Sequence, residues 1–198
     1  MSYCCTVDVV TRQLPVPASV RFPHERKRLL RLMADDQQER ASAAFFSTDR
    51  KVAEAITHRE IARIEEVLAI VGRIKTPSVR NVGLDGSRAI WLIALHNFTY
   101  KNSGRTVLKK MRHLFYRDKT QVFYPGIPYL TDRIMVGSVQ PVDPENLPHQ
   151  LYGTQGLSMK LPDGAVRSEP FPITNMSKLV ERRKKFDLEP ITPCKHHP

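Results

Sequence analysis

A chain of 198 residues can bury one good core, and at 41% hydrophobic it holds no apolar run near the ~20 residues of a membrane span, which argues against a helical membrane protein. Met1 to Pro17 lacks the basic start and apolar stretch of an export signal, and three cysteines, Cys4 and Cys5 adjacent, make no disulfide framework, so a soluble cytoplasmic protein is expected. The excess of 31 Lys and Arg over 20 Asp and Glu, formally +11, favours anionic partners such as nucleic acid or phosphate-bearing ligands.

Residues 1–23 carry Pro15, Pro17 and Pro23 among β-branched residues, which predicts an extended arm. A first helix is expected over residues 24–46. Its apolar stripe of Leu29, Leu30, Met33 and Ala44 also carries Asp36, Gln37 and Arg40, while Asp35, Gln38 and Glu39 fall on the opposite, solvated side. A carboxylate on an apolar stripe must be paired, so Asp36 and Arg40 either satisfy each other as an i,i+4 pair or line a cavity.

A second helix runs from a cap at Thr48 or Asp49 to Val71, with Val52, Ile56, Val67 and Ile70 on one face and Gly72 as its stop. Residues 73–86, with Pro77, Gly83 and Gly86, read as a loop whose Asp85 or Ser87 caps a third helix over residues 87–100. That helix is apolar almost all round and is expected at the centre. His96 lies inward on its stripe with Ala89, Leu92, Ile93 and Tyr100. Such a histidine is more often a core residue held by one hydrogen bond, but within a pocket it serves as acid or base.

The fourth helix, residues 105–117, buries Val107, Leu108, Met111, Leu114 and Phe115 and turns Arg105, Lys109, Arg112 and Tyr116 outward. The segment 101–119 holds seven Lys or Arg against the single acid Asp118, either a solvated face or a phosphate-contacting one. A short helix over residues 129–136 carries Asp132 and Arg133. A Pro-rich insertion, residues 141–148, leads into Gln150-Leu151-Tyr152-Gly153-Thr154-Gln155, a run of amides and hydroxyls around a glycine that suits a buried turn or a ligand contact. Residues 157–171 alternate around Pro162-Asp163-Gly164, the pattern of a small β-hairpin. A last helix, residues 177–186, ends in the cluster Arg182, Arg183, Lys184 and Lys185. In the tail, Cys194, His196 and His197 lack a fourth ligand at sensible spacing, and no cofactor or metal is expected. The fold class is mainly α: one helical bundle of five or six helices over residues 24–191, between the arm and a tail of residues 192–198.

The succession Asp36-Gln37-x-x-Arg40, Trp91-Leu92-Ile93-x-x-His96, Tyr129-Leu130-x-Asp132-Arg133, Gln150-Leu151-Tyr152-Gly153-Thr154-Gln155 and Arg182-Arg183-x-x-x-Asp187-Leu188-x-Pro190 resembles a bacterial family of unassigned activity, domain of unknown function 6624. The blocks cover residues 29–191, and the resemblance implies a mostly helical domain. The family tends to read Q-H-A-D around its histidine, whereas this chain has Leu95-His96-Asn97-Phe98; it also runs from the Asp-Arg helix to the Q-Y-G-T-Q block with little between.

Two functions fit these residues. One is a small enzyme acting on an anionic small molecule, with His96 as acid or base, Asp36 or Asp132 orienting it, and Gln37, Arg40, Arg133, Gln150, Tyr152, Gly153, Thr154 and Gln155 binding the ligand in one pocket. The other is a non-catalytic module that binds nucleic acid or another anionic partner through Arg105, Lys109 and Arg112 together with Arg182, Arg183, Lys184 and Lys185. Neither implies an oligomeric state.

Overall fold

A computed structural model describes residues 19–137, 147–160 and 166–191. The arm up to residue 18, most of the Pro-rich insertion, the hairpin turn Pro162-Asp163-Gly164 and the tail with Cys194, His196 and His197 lie outside the described residues. The chain is mainly α. Its helices are α1 (Pro23–Ala41), α2 (Arg50–Ile74), α3 (Val79–His96), α4 (Ser103–Arg117), α5 (Gly126–Gly137) and α6 (Leu179–Lys184), with one antiparallel pair, β1 (Gly156–Lys160) and β2 (Val166–Pro170). Of the described residues, those from 19 to 126 belong to one compact unit and those from 127 onward to another; the expected domain of residues 24–191 spans both.

In the first unit α1 starts with Pro23 in its first turn, where the missing N–H costs nothing. It ends at Ala41, five residues short of the expected Phe46; the hydroxyl of the following Ser42 donates to Glu39 O at 2.6 Å, and Ala43–Phe46 form a 3₁₀ turn. The buried stripe is Leu29, Leu32 and Asp36, so Leu32 takes the place expected for Leu30 and Met33. Asp49 caps α2 by accepting from the N–H of Lys51 and Val52. Gly72, expected to stop α2, lies inside it, because Val71 and Ile74 prolong the buried stripe by another turn and outweigh the ~1 kcal/mol that a helical glycine costs.

The expected loop 73–86 is largely helical. Ser78 caps α3 at Asn81 N, and Gly83, at φ 76 and ψ 166, kinks the helix one turn in. A Cβ at Gly83 would sit 2.6 Å from Asp85 Oδ1, so only glycine fits. Asp85, expected as a cap, lies inside α3 instead, accepting from Gly86 N at 2.8 Å and held by the Arg26 guanidinium at 2.5 Å. Helix α3 packs against α1, α2 and α4, the central place its sequence predicts, with Ala89, Ile90, Trp91, Ile93 and Ala94 buried. The Trp91 ring lies 5.0 Å from that of Phe123, and Gly126 leaves room for it, since a Cβ there would come within 2.6 Å of the indole.

In the second unit Ile127, Leu130, Ile134, Tyr152, Phe171, Leu179 and Phe186 are buried. The strands pair from Gly156 opposite Pro170 to Lys160 opposite Val166. The last helix is shorter than expected, a 3₁₀ turn at Met176–Lys178 leading into α6.

Candidate acid-base site

The sequence-predicted site residues gather into two polar networks, one in each unit. In the first, Asp36 is 1% exposed although it sits among leucines on α1. Its carboxylate is matched from several directions. His96 Nδ1, at the end of α3, lies 2.8 Å from Oδ2; Gln37 Nε2 donates to the same oxygen at 2.9 Å; Arg40 Nε donates to Oδ1 at 3.3 Å; and an Arg63 terminal nitrogen lies 3.5 Å from Oδ1. The arginines are in turn shared. Arg40 also pairs with Glu60, and Arg63 with Glu39, which Arg59 holds at 2.5 Å. Phe45 lies under the Arg40 guanidinium, 4.8 Å from ring centre to cation.

Burial pushes the Asp36 carboxyl up, but the hydrogen bond and charge of His96, the Gln37 amide and the charge of Arg40 together bring it below the ordinary carboxylate range. Asp36 is therefore ionised at neutral pH. A carboxylate can only accept, so the imidazole nitrogen facing it carries the proton, and in the neutral ring Nε2 keeps its lone pair. The His96 side chain is 19% exposed and that of Arg40 25%, so these two partners of Asp36 reach the surface while Asp36 does not. Gln37 is exposed and still reaches Asp36. The acid that meets the imidazole thus comes from α1, 60 residues away, while Asn97, next to His96 in sequence, donates to Ile93 O at 3.1 Å.

Arg63, Glu39 and Glu60 were not among the expected site residues. Arg63 is only 8% exposed, and the signal that marks it is the one that marks Asp36: a charge at i+7 from Ile56 and i−4 from Val67 on an apolar stripe. Glu39, read as solvated, is 12% exposed at its side chain because Arg63 and Arg59 close over it. Beside this cluster, Glu39, Arg59 and Arg63 join Arg28, Leu32 and Glu66 among the walls of an open cavity of about 590 Å³.

In the second unit the polar block closes on itself. Asp132, fully buried on α5, accepts from Leu151 N at 2.8 Å, from Tyr152 N at 3.1 Å, from Thr154 N at 3.0 Å and from the Thr154 hydroxyl at 2.9 Å. Burial pushes its carboxyl above the usual range, and these donors only partly counter it. Gln150, also fully buried, donates to Gln155 O at 2.9 Å and Phe171 O at 2.8 Å and accepts from Gln155 N at 2.8 Å. Gly153 takes φ +69, and a Cβ there would meet Ile191 at 2.3 Å. Arg183 donates to Tyr152 O at 2.5 Å and Glu189 O at 2.6 Å, while the Tyr152 ring meets Phe186 edge-on at 5.5 Å. Asp132, expected as a catalytic acid, and Gln150, Tyr152, Gly153, Thr154 and Gln155, expected to bind ligand, are thus a turn folded around a carboxylate. Arg133, the neighbour of Asp132 on α5, is exposed.

The basic clusters also divide. Arg105 and Lys109 are exposed and Arg112 half-buried on α4. Of the C-terminal cluster, Arg182 donates to Thr174 O at 2.6 Å and Asn175 O at 3.0 Å, and Arg183 holds the turn just described, so these two are tied to backbone carbonyls; Lys184 and Lys185 are exposed. Among the described residues no helix is long and apolar enough to cross a membrane, and no group of acids, histidines and cysteines is placed to hold a metal. No family model, no curated protein and no solved structure matches this chain.

Proposed function

We propose that the chain is a small enzyme acting on an anionic small molecule, with His96 as the acid-base group, Asp36 orienting it and Arg40 holding the anionic group. The observation that carries this reading is the 2.8 Å contact between His96 Nδ1 and a carboxylate that is itself 1% exposed. Asp36 fixes the tautomer and ring orientation and stabilises the imidazolium formed when Nε2 takes a proton; Nε2 then returns that proton to a leaving group. Arg40 directs its charge to the same surface, and Arg63 and Glu60 hold the pair in place without touching ligand. The kinship with the family of unknown function 6624 is part of this proposal, supported by the order of the motif blocks, as is a cytoplasmic setting, supported by the cysteine spacing.

The test is turnover by the full chain of a panel of phosphate and carboxylate esters, with His96→Gln beside it. Activity that falls about 10²- to 10⁴-fold in the variant, at an unchanged melting temperature, bears the proposal out. A panel that yields no His96-dependent turnover, together with several kcal/mol lost when Asp36 and Arg40 are replaced together by apolar residues of similar volume, overturns it and makes the cluster part of the fold's own network.

A further inference from the structure

Several cations of the first unit are paired with acids, among them Arg26 with Asp85, Arg28 with Glu66, Arg40 with Asp36 and Glu60, Arg59 and Arg63 with Glu39, and Lys101 with Glu65. Helix α4 departs from this. Arg105 and Lys109 stand exposed on it, and among the described residues no carboxylate pairs with either of them or with Arg117, which approaches His113 Nε2 at 3.5 Å. Arg105, Lys109, Arg112 and Tyr116 follow one another at i, i+4, i+7 and i+11, a single stripe about 16 Å long at the helical rise. Tyr116 closes the stripe and is 70% exposed, although its neighbours at Val107, Leu108 and Met111 are buried in the opposite face. Beyond it, Arg117 and Arg80 border a cavity of about 620 Å³ together with Ser78, Gln121 and the acid Asp118.

From this arrangement we infer that the exposed stripe of α4 binds single-stranded nucleic acid, with Arg105, Lys109 and Arg117 on phosphates and one base stacked on Tyr116. The exposed cations Arg105 and Lys109, with Arg117 at the end of the helix, favour a polyanion, and the release of its counterions drives binding. The ring makes the choice among polyanions. A duplex keeps its base faces stacked inside, and a sulfated polysaccharide has none, whereas a single strand presents phosphates and free base faces together. Nothing in the interface uses His96 or Asp36.

The experiment is fluorescence anisotropy of the full chain with labelled oligo-U and oligo-dT of about 12 nucleotides, a duplex of the same length, and heparin as competitor. Expected is binding of the single strands that falls with salt at a log–log slope of about −2 for three phosphate contacts. Tyr116→Ala weakens it roughly tenfold and leaves the weaker duplex binding as it was. Arg105→Glu with Lys109→Glu removes both, and His96→Gln changes neither, so failure here and failure of the acid-base site are read separately. Circular dichroism confirms that each variant is folded. The inference is overturned if no strand binds at low salt, if the duplex binds as tightly as the single strand, if heparin displaces the strand while Tyr116→Ala has no effect, or if only an acidic protein binds the stripe.

Discussion

Two buried carboxylates, one in each unit, show how the same residue type is kept inside a protein in two ways. Asp36 is 1% and Asp132 0% exposed, so burial pushes both carboxyls up. Asp36 answers with charged and polar side chains drawn from α1, α2 and α3, and its carboxyl ends below the ordinary range. Asp132 answers with backbone N–H groups and one hydroxyl from a turn some twenty residues on, all neutral, and stays above it. A carboxylate surrounded by the chain's own amides holds a fold, because each donor would be orphaned without it. A carboxylate surrounded by side chains that have second partners, as Arg40 has Glu60 and Arg63 has Glu39, is expected to cost the fold less when removed, and two of its partners, His96 and Arg40, reach the surface.

The comparison breaks first at Asp132. Asp132→Ala leaves the N–H groups of Leu151, Tyr152 and Thr154 without an acceptor and is expected to cost on the order of 4 kcal/mol in urea unfolding; a cost under about 1 kcal/mol would mean water replaces the carboxylate and the turn stands alone. Next is Gly153→Ala, which combines a positive φ with a Cβ 2.3 Å from Ile191 and should lower stability by about 2 kcal/mol, read from the same transition. Asp36→Asn keeps the shape but not the charge, and an expected loss of about 1 kcal/mol is what separates it from Asp132; equal losses in denaturation at neutral pH would erase the distinction.

Acidity sharpens the same contrast, since the two groups are linked to stability with opposite signs. Asp36, lowered by folding, contributes stability above the unfolded carboxyl value of about 4 that is lost as pH falls through its lower folded value. Asp132, raised, contributes stability below about 4 that is lost as pH climbs through its folded value. Unfolding measured from acid to neutral pH should therefore show Asp36→Asn losing less than the parent protein on acidification and Asp132→Asn losing less on the way up. The smallest effect belongs to His96→Gln, whose amide still reaches Asp36; a melting temperature within a degree or two, about 0.5 kcal/mol, is expected beside loss of turnover.

Much of the helical architecture was legible because it rests on periodicity and caps. Asp49 caps α2 and α3 is the central helix, as their residues predict. Asp36 and His96 are legible for a related reason: each is a polar group on an apolar stripe and has to be satisfied. The same rule points to Arg63 between Ile56 and Val67, yet α2 reads as scaffold when only its apolar residues are followed. Glu39 shows where the rule fails, since one helix viewed alone places it in solvent and only α2 lying alongside buries it against Arg63 and Arg59.

By itself, then, the sequence determined the mainly helical class, the Asp49 cap and the polar residues that had to find partners, because propensity, periodicity and the cost of an unpaired charge all act over a few turns of chain. Which partner each one found was decided only by the tertiary structure. Asp36 and His96 are 60 residues apart and Asp132 and Thr154 are 22 apart, and local pattern holds no information on which distant donors will meet a buried carboxylate. Both acids are polar residues in apolar surroundings and so read alike in the sequence; the fold gave Asp36 an imidazole and Asp132 a turn.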